Sequence, residues 1–279
     1  LSPFIRLVYI SSPMWRFILL FPFCFFAQDK ETVLFSQQVE SKDIEEIGDN
    51  IQENKIGKVT IRGNDWFSTG LLEDYLDLKS GEKIHLEALL NHTAFLNRNP
   101  FRNSEIIFTS GSEAMTTNLE LLVDDRLPFR IYVGVDDTGT VATGKNRYFG
   151  GLTWGNVFYI DHIFSFQATI DANLNRFYAQ TGHYTAPLPW EHILILYGGY
   201  SHVSPEDSAF GGSGNSYQLS LRYEIPIKPF YVKALQSFTW GADWKHTNNN
   251  LGFEGTNNDL ILGAAVNVLQ LFLGYEYNL

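Results

Sequence analysis

The sequence predicts a small α+β unit followed by a long amphipathic antiparallel sheet of the membrane-barrel kind. Three observations predict it. Helical and strand periodicities mix before Asp125, and only the period of two is left after it. The later segments alternate over about 9–11 residues, the length that crosses a bilayer at a tilt. Aromatics make 15% of the chain, charged residues only 18%, and there are 23 glycines. Soluble domains average about 25% charged residues, so the composition suits strands with one apolar face. A soluble β-sandwich shares that composition, so strand length and the placing of aromatics must separate the two.

Residues 1–27 are the most apolar stretch. Met14-Trp15-Arg16 precedes an almost wholly apolar run from Phe17 to Phe26, and Ala27-Gln28-Asp29 follows. A basic start, a short apolar core and a small residue before a polar segment describe a secretory signal; the competing reading is a buried hydrophobic segment. Met14 is the expected start, and the residues before it read as upstream translation or an incomplete gene start. Phe23 before Cys24 argues against a lipoprotein signal. Residues 28–55 are polar, with Asp43, Glu45, Glu46 and Asp49 close together, and read as a linker or short solvated helix.

The α+β unit covers 56–126. Val59 and Ile61 alternate with Thr60 and Arg62, and Gly63-Asn64 ends that strand. Ser68 can cap a helix whose Leu72, Tyr75 and Leu76 share a face. A second helix is expected from about Leu86 to Asn97, with Leu86, Leu89, Leu90, Thr93 and Leu96 along one stripe. Asn97, Asn99 and Pro100 stop it, because asparagine tolerates a left-handed cap and proline cannot continue the ladder. Strands at Ile106/Phe108 and Leu119/Leu121/Val123, turning at Gly111, complete a β-α-α-β-β order with two helices on one sheet face.

Residues 127–279 are read as strands. Ile131, Val133 and Val135 alternate with Arg130, Tyr132, Gly134 and Asp136. Phe164, Phe166, Ala168 and Ile170 alternate with Ser165, Gln167, Thr169 and Asp171. Tyr217 to Ile225 and Phe238 to Trp244 repeat the pattern. A sandwich would turn the apolar face to a core; a barrel turns it to lipid and lines a wet lumen with the polar face. The barrel is preferred because the strands exceed the five or six residues usual in soluble sheets. Tyr148, Trp154, Tyr184, Trp190, Tyr223 and Trp244 also sit at strand ends, where interfacial girdles lie. Connections alternate between a short one at Pro226–Pro229 and long Gly/Asn-rich loops at Ser204–Asn215 and Asn248–Asn258.

Other chemistries find no support in the residues. A net charge of −11 disfavours a nucleic-acid partner. Cys24 is the single cysteine, so no disulfide framework is expected. His85, His92, His162, His183, His192, His202 and His246 lack metal-ligand spacing, although His85 and His92 could share a face of the second helix. Gly212-Ser213-Gly214 has no helix behind it to make a hydrolase elbow and reads as external loop. Lys145, Arg147, Arg176 and Lys245 read as lumen or rim charges. No catalytic, cofactor-binding or metal-binding residue is expected, and the chain is not read as an enzyme.

An ordered series of motifs carries a family resemblance over 58–279. Leu96-Asn97-Arg98-Asn99-Pro100-Phe101-Arg102 resembles the polypeptide-transport-associated (POTRA) domain beside the barrel in two-partner secretion transporters, the hemolysin-activator and filamentous-hemagglutinin transporter family. Asp124–Pro128, Arg130–Thr140 with Thr143-Gly144, Tyr184–Pro189 and Leu221–Pro226 are similar to its next segments and early strands. The resemblance implies a periplasmic POTRA domain that captures an unfolded exported polypeptide and a barrel of about sixteen strands that passes it to the surface. About eight strands are legible here, and the family's Val-Arg-Gly-Phe-type loop is absent. The chain therefore reads as roughly half of such a barrel, the alternative being closure as a small eight-stranded one.

The function implied is export of a hemolysin- or adhesin-type client across the bacterial outer membrane, with outer-membrane lipid as the second partner and a monomeric barrel. Assembly of other barrel proteins is an alternative, and a passive pore or surface antigen a second. Leu89, Phe95, Asn97 and Arg102 are the candidate client-binding residues. Asn99, Pro100 and Phe101 are expected to be structural members of the motif.

Overall fold

The computed structural model describes residues 5–7, 54–205, 210–227, 235–253 and 261–278. The rest of the signal-like segment and linker, and residues 228–229 of the expected short turn, lie outside the described residues. The chain divides into two compact units, Leu1–Asp125 and Arg126–Leu279.

In the first unit, β1 (Ile5–Leu7), β2 (Lys55–Arg62), α1 (Thr69–Leu76), α2 (Leu86–Leu96), β3 (Arg102–Ser110) and β4 (Thr116–Asp125) follow in order. The sheet order is β1-β3-β4-β2. β2 runs parallel to β4, which two intervening helices permit, while β3 and β4 form an antiparallel hairpin. Burial in β3 and β4 alternates with period two, so one sheet face is covered. Ile106, Phe108, Leu119, Leu121 and Val123 of that face share a core with Leu72 and Leu76 of α1 and Leu89 and Leu96 of α2.

Ser68 caps α1 as expected, accepting a 3.3 Å bond from the Leu71 N–H. α1 ends on Asp77 in the left-handed conformation. α2 ends differently: Asn97 has φ −76° and ψ 3°, so the expected left-handed asparagine cap is not formed. Its side chain is instead committed to β3. His85 precedes α2 as its N-cap residue and is exposed, while His92 lies within the helix and is half-buried. Phe95, outside the expected stripe, is buried edge-on to Tyr75 of α1, and Leu90 is half-buried.

Two further features fix the loop after β2. Gly63 has φ +83°, and a Cβ there would meet the Val123 carbonyl oxygen at 2.2 Å. Asp125, at the end of β4, accepts backbone N–H bonds from Asp65, Trp66 and Phe67 at 2.9–3.1 Å.

The second unit is an eight-stranded antiparallel meander, ordered β12 to β5 without a crossover. Its strands are β5 (Phe129–Asp136), β6 (Arg147–Val157), β7 (His162–Asp171), β8 (Phe177–Pro187), β9 (Ile193–Val203), β10 (Phe210–Ile227), β11 (Leu235–Phe253) and β12 (Ile261–Asn278). The loops expected at Ser204–Asn215 and Asn248–Asn258 are therefore shorter than their composition suggests. Phe210–Asn215 pairs with Asn248–Phe253 in one unbroken register, and Gly212-Ser213-Gly214 is strand. Ladder bonds come from backbone groups, so polar and glycine residues sustain the hairpin wherever a partner strand continues. At about 3.3 Å per residue, strands of 18 or 19 residues reach roughly 60 Å, about twice a bilayer core.

Candidate functional site: a two-faced membrane sheet and a strand edge

Register carries the two faces of the meander across all eight strands. Ile131 pairs with Leu152, Leu152 with Phe166, Phe166 with Gly182, and Gly182 with Gly198. The row continues through Leu219 and Trp244 to Leu269. One position along, Tyr132, Gly151, Gln167, Thr181, Gly199, Gln218, Lys245 and Val268 form the opposite row. One face is thus apolar apart from glycines, and the other is mainly polar. The apolar side chains are not covered by the chain: Val133 is 83% exposed and Leu271 84%. A soluble sandwich buries this face, so the exposure favours lipid as its solvent.

Aromatic residues bound the apolar face at regular intervals. Tyr148 and Trp154 on β6, Tyr178 and Tyr184 on β8, and Tyr217 and Tyr223 on β10 each stand six positions apart. Six positions span about 20 Å of strand. Histidines complete both rows. His162 Nδ1 lies 2.6 Å from the Tyr184 hydroxyl, with the rings edge-on at 82°. His192 repeats this with Tyr223 at 2.7 Å and 82°, and the Trp190 indole N–H donates to the same hydroxyl at 2.9 Å. Tyr223 can accept from the indole and donate to the imidazole, which satisfies all three groups. At the other end His202 stacks on Tyr178 and meets Asn215 Oδ1 at 2.7 Å. Rings with an apolar body and a polar tip belong where hydrocarbon meets headgroups.

The polar face is built differently. Phe149 lies over Gly134, Tyr132 over Gly151 and Arg222 over Gly241, each side chain opposite the glycine it covers. An added Cβ would meet these side chains at 2.3–2.9 Å, so the absence of a side chain is what lets each lie flat. Tyr132 thereby places its hydroxyl 3.0 Å from Gln167 Oε1. Arg147 is anchored at the strand end, donating to the Thr143 carbonyl and hydroxyl at 2.7 Å and lying 4.2 Å from the Phe177 ring centre. These pairs escape sequence reading, because only register shows which glycine faces which ring.

The first unit holds the candidate binding residues. Leu89 (2% exposed) and Phe95 (7%) are buried, Phe95 edge-on to Tyr75 at 5.4 Å. Arg102 (5%) donates through Nε and Nη2 to the Leu96 carbonyl at 3.0 and 2.9 Å, and its guanidinium lies 4.7 Å from the Phe67 ring centre. A cation there complements the C-terminus of α2. Asn99 Oδ1 accepts the Phe101 N–H at 3.0 Å, and Phe101 joins the core while Pro100 is exposed. The motif from Leu96 to Arg102 is thus brought together as one helix cap.

Asn97 reaches farther. Its Nδ2 donates to the Ser104 carbonyl at 2.9 Å and its Oδ1 accepts the Ser104 N–H at 2.6 Å. Ser104 therefore turns its backbone groups away from β4. By the period of two, Ile106 and Phe108 present theirs along the same edge. Ile5–Leu7 lie antiparallel along Ile106–Phe108. Among the described residues no group of three or more His, Cys, Asp or Glu could hold a metal ion, and no helix is long and apolar enough to cross a membrane.

An uncovered apolar face bounded by aromatics, on a meander whose strands are mostly long enough or more to cross a bilayer, defines the class as an outer-membrane β-barrel protein. The sequence profile of the haemolysin secretion/activation protein ShlB/FhaC/HecB family matches residues 116–258, just over half of the chain. The chain belongs to that family. No curated protein sequence matches it.

Solved structures share the fold. CdiB from Escherichia coli aligns with TM-score 0.65 at 13% identity, over 82% of this chain and 43% of that one. CdiB from Acinetobacter baumannii aligns with TM-score 0.56 at 16% identity, over 82% and 44%. BamA from Haemophilus ducreyi lacking POTRA domains 1-3 aligns with TM-score 0.51 at 14% identity, over 81% and 44%. The chain spans less than half the length of each.

Proposed function

We propose that this chain is the periplasmic and early-barrel part of an outer-membrane translocator that exports an unfolded hemolysin- or adhesin-type partner. The observation that carries the reading is the continuous two-faced meander of bilayer-length strands following directly on a β-α-α-β-β unit. In this reading residues 56–126 are a POTRA domain in the periplasm, and 127–279 are the first half of a single-copy barrel of about sixteen strands. The apolar face meets outer-membrane lipid, and the polar face lines the route of the client. Transport needs no nucleotide or metal on this account.

The client is held as an added strand. An unfolded polypeptide offers backbone N–H and C=O groups whatever its sequence, and an open strand edge takes them as its next ladder. The β3 edge beside α2 supports this. Leu89, Phe95 and Arg102 act from inside, holding α2 and its cap against β3, and Asn97 touches the edge itself. Asn99, Pro100 and Phe101 shape the turn between them.

Deletion of residues 58–125 tests the reading in cells expressing the full-length gene and its partner. The expected result is a barrel still inserted and heat-modifiable, with the partner lost from the culture medium. Normal release of the partner overturns the proposal. A second reading is assembly of other barrel proteins. Under it, depletion causes unfolded outer-membrane proteins to accumulate in the periplasm while release of a partner is untouched.

A further inference from the structure

We propose that Asn97 is a built-in stop that sets the register of any strand added to β3. The inference rests on the strand-edge reading above and adds where such a strand must end. In an antiparallel ladder the outward-facing residues of an edge strand each offer one N–H and one C=O to the newcomer. On β3 these are Ser104, Ile106 and Phe108. Ser104 is already filled: the Asn97 carboxamide meets its N–H at 2.6 Å and its C=O at 2.9 Å, the two bonds a partner peptide would make.

A primary amide is the side chain suited to this, with one acceptor and one donor side by side. Asn97 is held in place as the residue that closes α2, its own N–H bonded to the Thr93 carbonyl at 3.0 Å. An incoming strand can therefore pair at Phe108 and Ile106, as Ile5 and Leu7 do in antiparallel sense. It cannot add the next pair without displacing Asn97. The end of the client ladder is thus fixed by this protein and not by the client sequence, which is what a carrier of diverse unfolded segments requires. A short ladder also limits affinity, so the segment can be handed on.

Amide exchange at single-residue resolution tests this in the full chain carrying Ile5→Pro and Leu7→Pro, which clears the edge. The probe is a synthetic peptide of residues 1–12. Without peptide, Ser104 is expected to exchange at least tenfold more slowly than Ile106 and Phe108. With peptide, Ile106 and Phe108 slow by tenfold or more and Ser104 is unchanged. With Asn97→Ala added, Ser104 exchanges fast alone and slows with peptide, because the ladder gains a pair. Asn97→Asp keeps the acceptor and is expected to retain Ser104 protection, which guards against an unfolded alanine variant. Slow Glu120 and Leu122 amides, which face β3 opposite Ile107 and Glu105, verify that the β3–β4 hairpin is intact.

Fast exchange of Ser104 before Asn97 is changed overturns the stop. So does an alanine variant in which peptide protects Ile106 and Phe108 but not Ser104. No response of Ile106 and Phe108 to peptide removes the strand-edge reading itself, and the stop with it.

Discussion

Arg222 donates Nη2 to Asp243 Oδ2 at 2.7 Å, diagonally across β10 and β11, and its guanidinium lies 4.5 Å from the Phe272 ring centre on β12. One side chain thus ties three neighbouring strands on the polar face. Its Nη1 also donates to the Leu221 and Ala242 carbonyls at 3.0 and 3.3 Å. Both members of the ion pair are largely shielded, with side-chain exposures of 22% and 14%. Removing one partner leaves the other partly desolvated and uncompensated. Arg222→Ala is expected to cost about 1–3 kcal/mol. The check is a lowered urea midpoint for loss of the heat-modifiable gel mobility of the inserted sheet.

The two faces should respond oppositely to the same charge. Val133→Arg places a guanidinium on the apolar face, where charge near the bilayer middle costs about 2–4 kcal/mol. Thr181→Arg places it on the polar face and is expected to cost little. Equal insertion yields for the two variants would contradict the assignment of the faces.

Gly151 tests the covering of glycines by rings. An added Cβ meets the Tyr132 hydroxyl at 2.5 Å and the Phe166 carbonyl at 2.6 Å. Gly151→Ala should lift Tyr132 off the sheet and break its bond to Gln167. The expected loss is about 1–3 kcal/mol, the usual range for overpacking. Tyr132→Ala in the same background should recover only part of it, since the clash with the ring is gone while that with the Phe166 carbonyl stays.

Asp125 should govern the loop that leads into α1. It accepts three backbone N–H bonds, and Asp125→Ala leaves those donors to water. The expected cost is about 2 kcal/mol, within the range for bonds to a charged group. Exchange of the Asp65, Trp66 and Phe67 amides should accelerate while those of β3 stay slow.

Leu89 separates support from contact. It is 2% exposed in the core of the first unit, so Leu89→Ala should destabilise that unit by about 2–5 kcal/mol. Any effect on export should then track unfolding of the unit, whereas Asn97→Ala should alter the exchange of Ser104 in a unit that remains folded.

Much of this was legible because side-chain period is a local property. Ser68 capping α1, the alternation of Ile131, Val133 and Val135, and the order β-α-α-β-β follow from neighbours a few residues apart. The sequence by itself determined which residues are apolar on each strand, and hence that an apolar sheet face must exist. Tertiary structure decided what local signals cannot hold. The Gly/Asn-rich stretches became the ends of long hairpins, because a ladder depends on the partner strand and not on side chains. Phe95, off the expected stripe, went into the core, and Asn97, besides closing the helix, became a partner for Ser104. Rings found glycines across strands because register, set by the pairing of distant residues, is written in no single segment.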